Sequence, residues 1–105
     1  MKALVSQLDE AVRRVVEAVH PLRVVLFGSA ARGELRVDSD VDLLVVMPNG
    51  THRRRTAQLL YQSLAGVGVS VDIVVATPDD LSKHGNTIGL IYRSALRDGK
   101  EVYAA

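Results

Sequence analysis

Residues 28–46 read GSAARGELRVDSDVDLLVV, and this stretch decides how the rest of the chain is organised. An apolar run, RVVLF over residues 23–27, leads into a Gly28-Ser29 turn. Ala31-Arg32-Gly33 follows, and Asp40 and Asp42 then open a second apolar run with one residue between them. Residues two apart on an extended strand point to one face, so the two carboxylates stand together. Held that close they repel each other unless protons or cations neutralise them. A glycine turn, an arginine and paired acids suit the joint holding of a divalent cation and a polyphosphate.

Helices and strands alternate on either side of this stretch. Leu4, Val5, Leu8, Ala11, Val12, Val15, Val16 and Val19 fall at helical spacing and predict an amphipathic first helix, closed by His20-Pro21. The β-branched run RVVLF predicts a buried strand, and residues 41–47 a second one ended by Pro48-Asn49-Gly50. Residues 29–39 read as a polar connection. Thr51 is the expected cap of the next helix, with Ala57, Leu60, Tyr61 and Leu64 as its buried stripe and Gly66 as its stop. Residues 69–76 predict a third strand, and Thr77-Pro78-Asp79-Asp80 a helix start. Beyond the interruption at Gly85-Asn86, Ile88, Ile91, Tyr92 and Ala95 make a last helical stripe ended by Gly99, and residues 101–103 a short edge strand. The pattern is α/β, one sheet layered with helices. Periodicity leaves the strand order open and permits either a parallel or a mixed sheet.

Strand alternation places Asp40, Asp42, Leu44 and Val46 on one face of the second strand, and Ser70, Asp72 and Val74 on one face of the third. Asp72 is the lone acid in an apolar strand, a costly placement unless something pairs with it. If the two strands are neighbours, Asp72 joins Asp40 and Asp42 in one acidic cluster. Oxygen donors without Cys or His nearby in sequence suit magnesium or manganese, and a pair of such ions can bridge the attacking and leaving oxygens at phosphorus. Gly28 permits close backbone approach, Ser29 offers a hydroxyl and an amide, and Arg32 a fork for phosphate oxygens or a partner for Glu34 or Asp38.

These residues resemble the signature of the DNA polymerase beta-type nucleotidyltransferase superfamily, and most closely its minimal nucleotidyltransferases, with a G-S-x-A-R-G, five-residue, S-D-x-D-L pattern. Gly28, Ser29, Ala31, Arg32, Gly33, Ser39, Asp40, Asp42 and Leu43 match it position by position, and Asp72 maps to the third acid of that family. The resemblance implies a small mixed-sheet nucleotidyltransferase fold occupying residues 1–105 as one domain. It implies that Asp40 and Asp42 bind two magnesium ions (manganese being an alternative), and that Asp72 completes the one that activates the acceptor. Gly28 and Ser29 would then hold the phosphates of ATP or another nucleoside triphosphate. Small members of this kind resemble antitoxin partners of HEPN-domain toxins, some of which transfer AMP to a toxin tyrosine. A protein hydroxyl is therefore the expected acceptor, within a hetero-oligomer.

Bulk properties narrow the alternatives. The chain has 105 residues, no cysteine and a net charge of +1. That excludes a disulfide framework or thiolate chemistry and gives no support to nucleic acid as direct acceptor. No apolar run approaches membrane-spanning length and no signal-peptide core is seen at the N-terminus, so a cytoplasmic protein without membrane attachment is expected. Arg53-Arg54-Arg55 reads as a solvated helix start, and the three histidines lack ligand spacing. A second class stays open beside the enzyme, namely a catalytically silent nucleotide-binding module that neutralises a toxin by occlusion. Three mutually repelling carboxylates favour the active form.

Overall fold

The computed structural model describes residues 2–28, 41–82, 93, 95 and 97–105. The first helix, α1 (Lys2–Val19), buries Ala11 and Val15 completely against the sheet. It ends where His20 turns to a positive φ of 47°, its N–H still donating to Val16 O at 2.9 Å, before the buried Pro21. On the outer face of α1, Glu10 accepts from Arg13, and this hydrogen bond lowers its carboxyl pKa below the ordinary 4.5. Arg14 also reaches Glu10, at 3.4 Å, and donates to Ser63 O at 3.4 Å and Ala65 O at 3.0 Å. Its cation thus sits on the carbonyl end of the second helix, where the helix dipole favours positive charge.

Among the described residues the sheet has four strands, β1 (Arg23–Phe27), β2 (Val41–Val46), β3 (Val71–Ala76) and β4 (Lys100–Ala104), in the order β3-β2-β1-β4. β1 pairs antiparallel with both β2 and β4, while β2 pairs parallel with β3. The sheet is therefore mixed. A parallel pair needs a crossover, which α2 (Arg53–Ser63) provides between β2 and β3. One sheet face, carrying Val24, Leu26, Val41, Leu43, Val45 and Val75, packs under α1 and α2 with Leu60 and Leu64. The other, carrying Val25, Leu44, Val46 and Ala76, packs against Ala95, which lies in a helical stretch with Arg93, Arg97 and Asp98. Burial on both faces explains why residues 24–27 of β1 and 43–46 of β2 read as unbroken apolar runs rather than alternating ones.

Three local expectations change. The cap of α2 is His52, whose Nδ1 accepts from Arg55 N–H at 3.1 Å, not Thr51. The Thr51 hydroxyl instead donates to Pro48 O at 2.7 Å, closing the turn that leaves β2. Tyr61, expected in the core, is 48% exposed at the flank of α2 beside β3. Residues 69 and 70 lie outside β3, which starts at Val71. By contrast, α3 (Pro78–Ser82) begins as the sequence predicts: Thr77 Oγ1 accepts from Asp80 N–H at 3.3 Å, and Asp80 Oδ2 accepts from Thr77 N–H at 3.0 Å. The interruption at Gly85-Asn86 and the residues Ile88, Ile91 and Tyr92 fall outside the described residues. Glu101, Val102 and Tyr103 form the heart of the edge strand β4.

Candidate functional site

β1 delivers its last residue, Phe27, opposite Asp42 of β2, and the chain then turns at Gly28. Gly28 has φ +78°, a conformation that side-chain-bearing residues rarely adopt. A Cβ at this position would overlap the Asp42 carboxylate, with Asp42 Cγ at 3.3 Å. The glycine is therefore required twice, for its backbone angle and for the space that the Asp42 carboxylate fills.

On the other side of β2, Asp42 stands in register with Asp72 of β3. In-register residues of a parallel pair point to the same face, and neighbouring strands lie about 4.8 Å apart. The two acids therefore share a face and an end of the sheet, with Leu44 and Val74 as the next in-register pair on that face. Asp42 is half-buried and Asp72 exposed, so water reaches the pair. Two unit charges about 5 Å apart repel by about 1 kcal/mol in water and several-fold more at the effective dielectric of a protein surface. A cation between them would reverse the sign of that interaction.

Gly28, Asp42 and Asp72 thus come together at one end of the sheet. Ser29, Arg32 and Asp40 lie outside the described residues. Among the described residues no group of three His, Cys, Asp or Glu side chains gathers in one place, so Asp42 and Asp72 form a pair of acids. Their donor chemistry, carboxylate oxygens that water can reach, fits a hard divalent cation. Arg53, from the arginine run, forms an ion pair with Asp80 at 3.4 Å and lines an open cavity of about 650 Å³ with His52 and Arg54. That cavity includes Val75, at the far end of β3 from Asp72, so it is separate from the acid pair. No helix among the described residues is long and apolar enough to cross a membrane.

The antiparallel pairing of β1 and β2 is what joins Gly28 to Asp42, and nothing in their spacing announces it. The signal available in sequence is the glycine directly after an apolar run, together with an acid near the start of the next.

Comparison with known proteins gives a consistent picture. Residues 5–101 match the model of a nucleotidyltransferase domain. A minimal nucleotidyltransferase of known structure is similar at 30% identity with a TM-score of 0.57, over 94% of this chain and 92% of that one. A toxin–antitoxin structure with AMP-PNP shares the fold at 21% identity and a TM-score of 0.66, over 91% of this chain and 73% of that one. A protein from Sulfolobus solfataricus, described as a nucleotidyltransferase, shares it at 23% identity and a TM-score of 0.60, over 99% of this chain and 88% of that one. Comparison with curated protein sequences gives no match.

Proposed function

The chain belongs to the nucleotidyltransferase domain family, and we propose that it transfers AMP from ATP to a hydroxyl on a partner protein, as the antitoxin of a HEPN-type toxin. The observation that carries this proposal is the in-register pair Asp42 and Asp72 beside the Cβ-free turn at Gly28. The fold shared with a toxin–antitoxin structure holding AMP-PNP supports a toxin as partner and a nucleoside triphosphate as substrate.

In this proposal Asp40 and Asp42 hold two magnesium ions, and Asp72 completes the set on the acceptor side. The ions would neutralise charge between the carboxylates and the triphosphate. Gly28 and Ser29 hold the terminal phosphates, where a backbone free of Cβ lets an anion approach the amides. Arg32 adds a bidentate contact to phosphate oxygens. The acceptor hydroxyl gives up its proton to solvent as its oxygen bonds to the α-phosphorus, the bond from that phosphorus to the bridging oxygen breaks, and pyrophosphate leaves. The protein's contribution is position and charge compensation, which supply most of the catalysis in this kind of chemistry. A net charge of +1 offers little to a nucleic-acid backbone, which favours a protein acceptor. We place the protein in the cytoplasm and treat residues 1–105 as one domain.

Incubation with labelled ATP, magnesium and either a HEPN-domain partner or assorted RNAs tests the proposal. Label on a partner hydroxyl is the expected result. Label on RNA 3′ ends with the partner untouched overturns the acceptor assignment. A tight complex with no label anywhere, unchanged by Asp40→Asn, favours the silent occlusion module over the enzyme.

A further inference from the structure

Among the described residues β3 is an edge of the sheet, paired with β2 on one side only. Val41 N–H donates to Ser70 O and Met47 N–H to Ala76 O, both at 2.8 Å. The even-numbered carbonyls of this segment therefore face β2, and the odd-numbered amides of Val71, Ile73 and Val75 point away from the sheet. Among the described residues one of these three outward amides has a partner: Ile73 N–H donates to the Tyr61 hydroxyl at 2.9 Å. Ile73 is the residue after Asp72. The peptide unit that joins them is held from both sides, its carbonyl by the β2 ladder and its N–H by Tyr61.

We propose that Tyr61 is a positioning residue for Asp72, fixing the edge strand at the one peptide where the acid's geometry matters. The inference rests on the reading above that Asp72 holds a metal ion. Edge strands open locally more readily than central ones, because one row of backbone groups has no ladder partner. A carboxylate carried by a loosely held edge would have to be reordered each time it bound a cation. The Tyr61 hydroxyl removes that freedom from a helix that is itself firmly seated, since neighbouring Leu60 is fully buried and Leu64 nearly so. Packing accounts for Tyr61 only in part, since about half of its surface (48%) is open to solvent. A tyrosine also reaches further than any apolar residue of that helix and ends in an acceptor oxygen.

Tyr61→Phe keeps the ring and removes that oxygen. The probe is Mn²⁺, titrated into isotope-labelled protein and read by paramagnetic broadening of the Asp42 and Asp72 amide signals, with hydrogen exchange at Ile73 recorded alongside. The expected result is exchange at Ile73 faster by about fivefold, the equivalent of one ordinary hydrogen bond, with Leu44 in β2 unchanged. The Mn²⁺ concentration for half broadening should rise by about threefold to fivefold in parallel. Faster exchange at Ile73 with an unmoved Mn²⁺ midpoint is what a merely structural contact would give, and it overturns the inference. Tyr61→Met, also a good helix former without the hydroxyl, should show the same rise, and a normal midpoint there overturns it equally. Asp72→Asn separates this failure from that of the parent reading: an unmoved midpoint in that variant shows that Asp72 is not a ligand.

Discussion

Gly28→Ala probes the junction between fold and site. Two costs arise from it. Holding a residue with a Cβ at φ +78° costs about 1–2 kcal/mol. The new Cβ also overlaps the Asp42 carboxylate, and overpacking of that kind costs about 1–3 kcal/mol. Against them, alanine stiffens the unfolded chain and returns about 0.4–1 kcal/mol. The net loss is about 3 kcal/mol, read as a lower urea midpoint at unchanged slope, or a melting temperature lower by about 12 °C. The two costs separate in an Asp42→Ala background. There the overlapping carboxylate is gone, and Asp42 Cβ lies at 3.7 Å from the added methyl, an ordinary contact. Gly28→Ala should then cost about 1 kcal/mol, leaving a coupling of about 2 kcal/mol between the two positions. Equal costs in both backgrounds, within about 0.5 kcal/mol, would show that Gly28 does not make room for Asp42.

Other positions give sharper or simpler outcomes. Leu60→Ala removes a fully buried side chain between α2 and the sheet and should cost about 2–5 kcal/mol in urea unfolding; a loss below about 1 kcal/mol would contradict the packing described. Gly99→Ala drives a Cβ into the backbone carbonyls of Ala95 and Leu26, so it should destabilise the fold by about 1–3 kcal/mol without contacting the acid pair. Glu10 is held below its ordinary pKa of 4.5 by its hydrogen bond to Arg13, so its stabilisation is complete above that value and disappears as the pH falls through the lowered one. The stability difference between wild type and Glu10→Gln should shrink as the pH is lowered through 4.5 and below, and a difference that widened on acidification would refute the sign.

Much of this architecture is local enough to read from residues. The β-branched runs RVVLF and VDLLVV mark two strands because burial on both faces demands continuous apolar side chains. Thr77-Pro78-Asp79-Asp80 marks a helix start because its cap is made within four residues. Alternation alone assigns Asp42 and Asp72 each to a face of its own strand. What brings them side by side is the parallel register of β2 and β3, a long-range outcome of the α2 crossover that no local pattern encodes. Thr51 and His52 are both competent caps, and the choice turns on the Thr51 hydroxyl already being engaged by Pro48. Tyr61 sits on an apolar stripe by spacing, yet its hydroxyl is taken by a backbone amide that only the edge position of β3 leaves available.

The most direct measurement is calorimetry of ATP binding with and without magnesium, on wild type and on Asp42→Asn. Asp42→Asn keeps the strand's shape and relieves repulsion with Asp72, so the variant should fold normally. Wild type should bind ATP tightly only when magnesium is present, and the variant should lose at least about tenfold of that magnesium-dependent affinity. Equal ATP binding by both folded proteins, or binding indifferent to magnesium, would contradict the assignment of Asp42 and Asp72 to a metal-assisted nucleotide site.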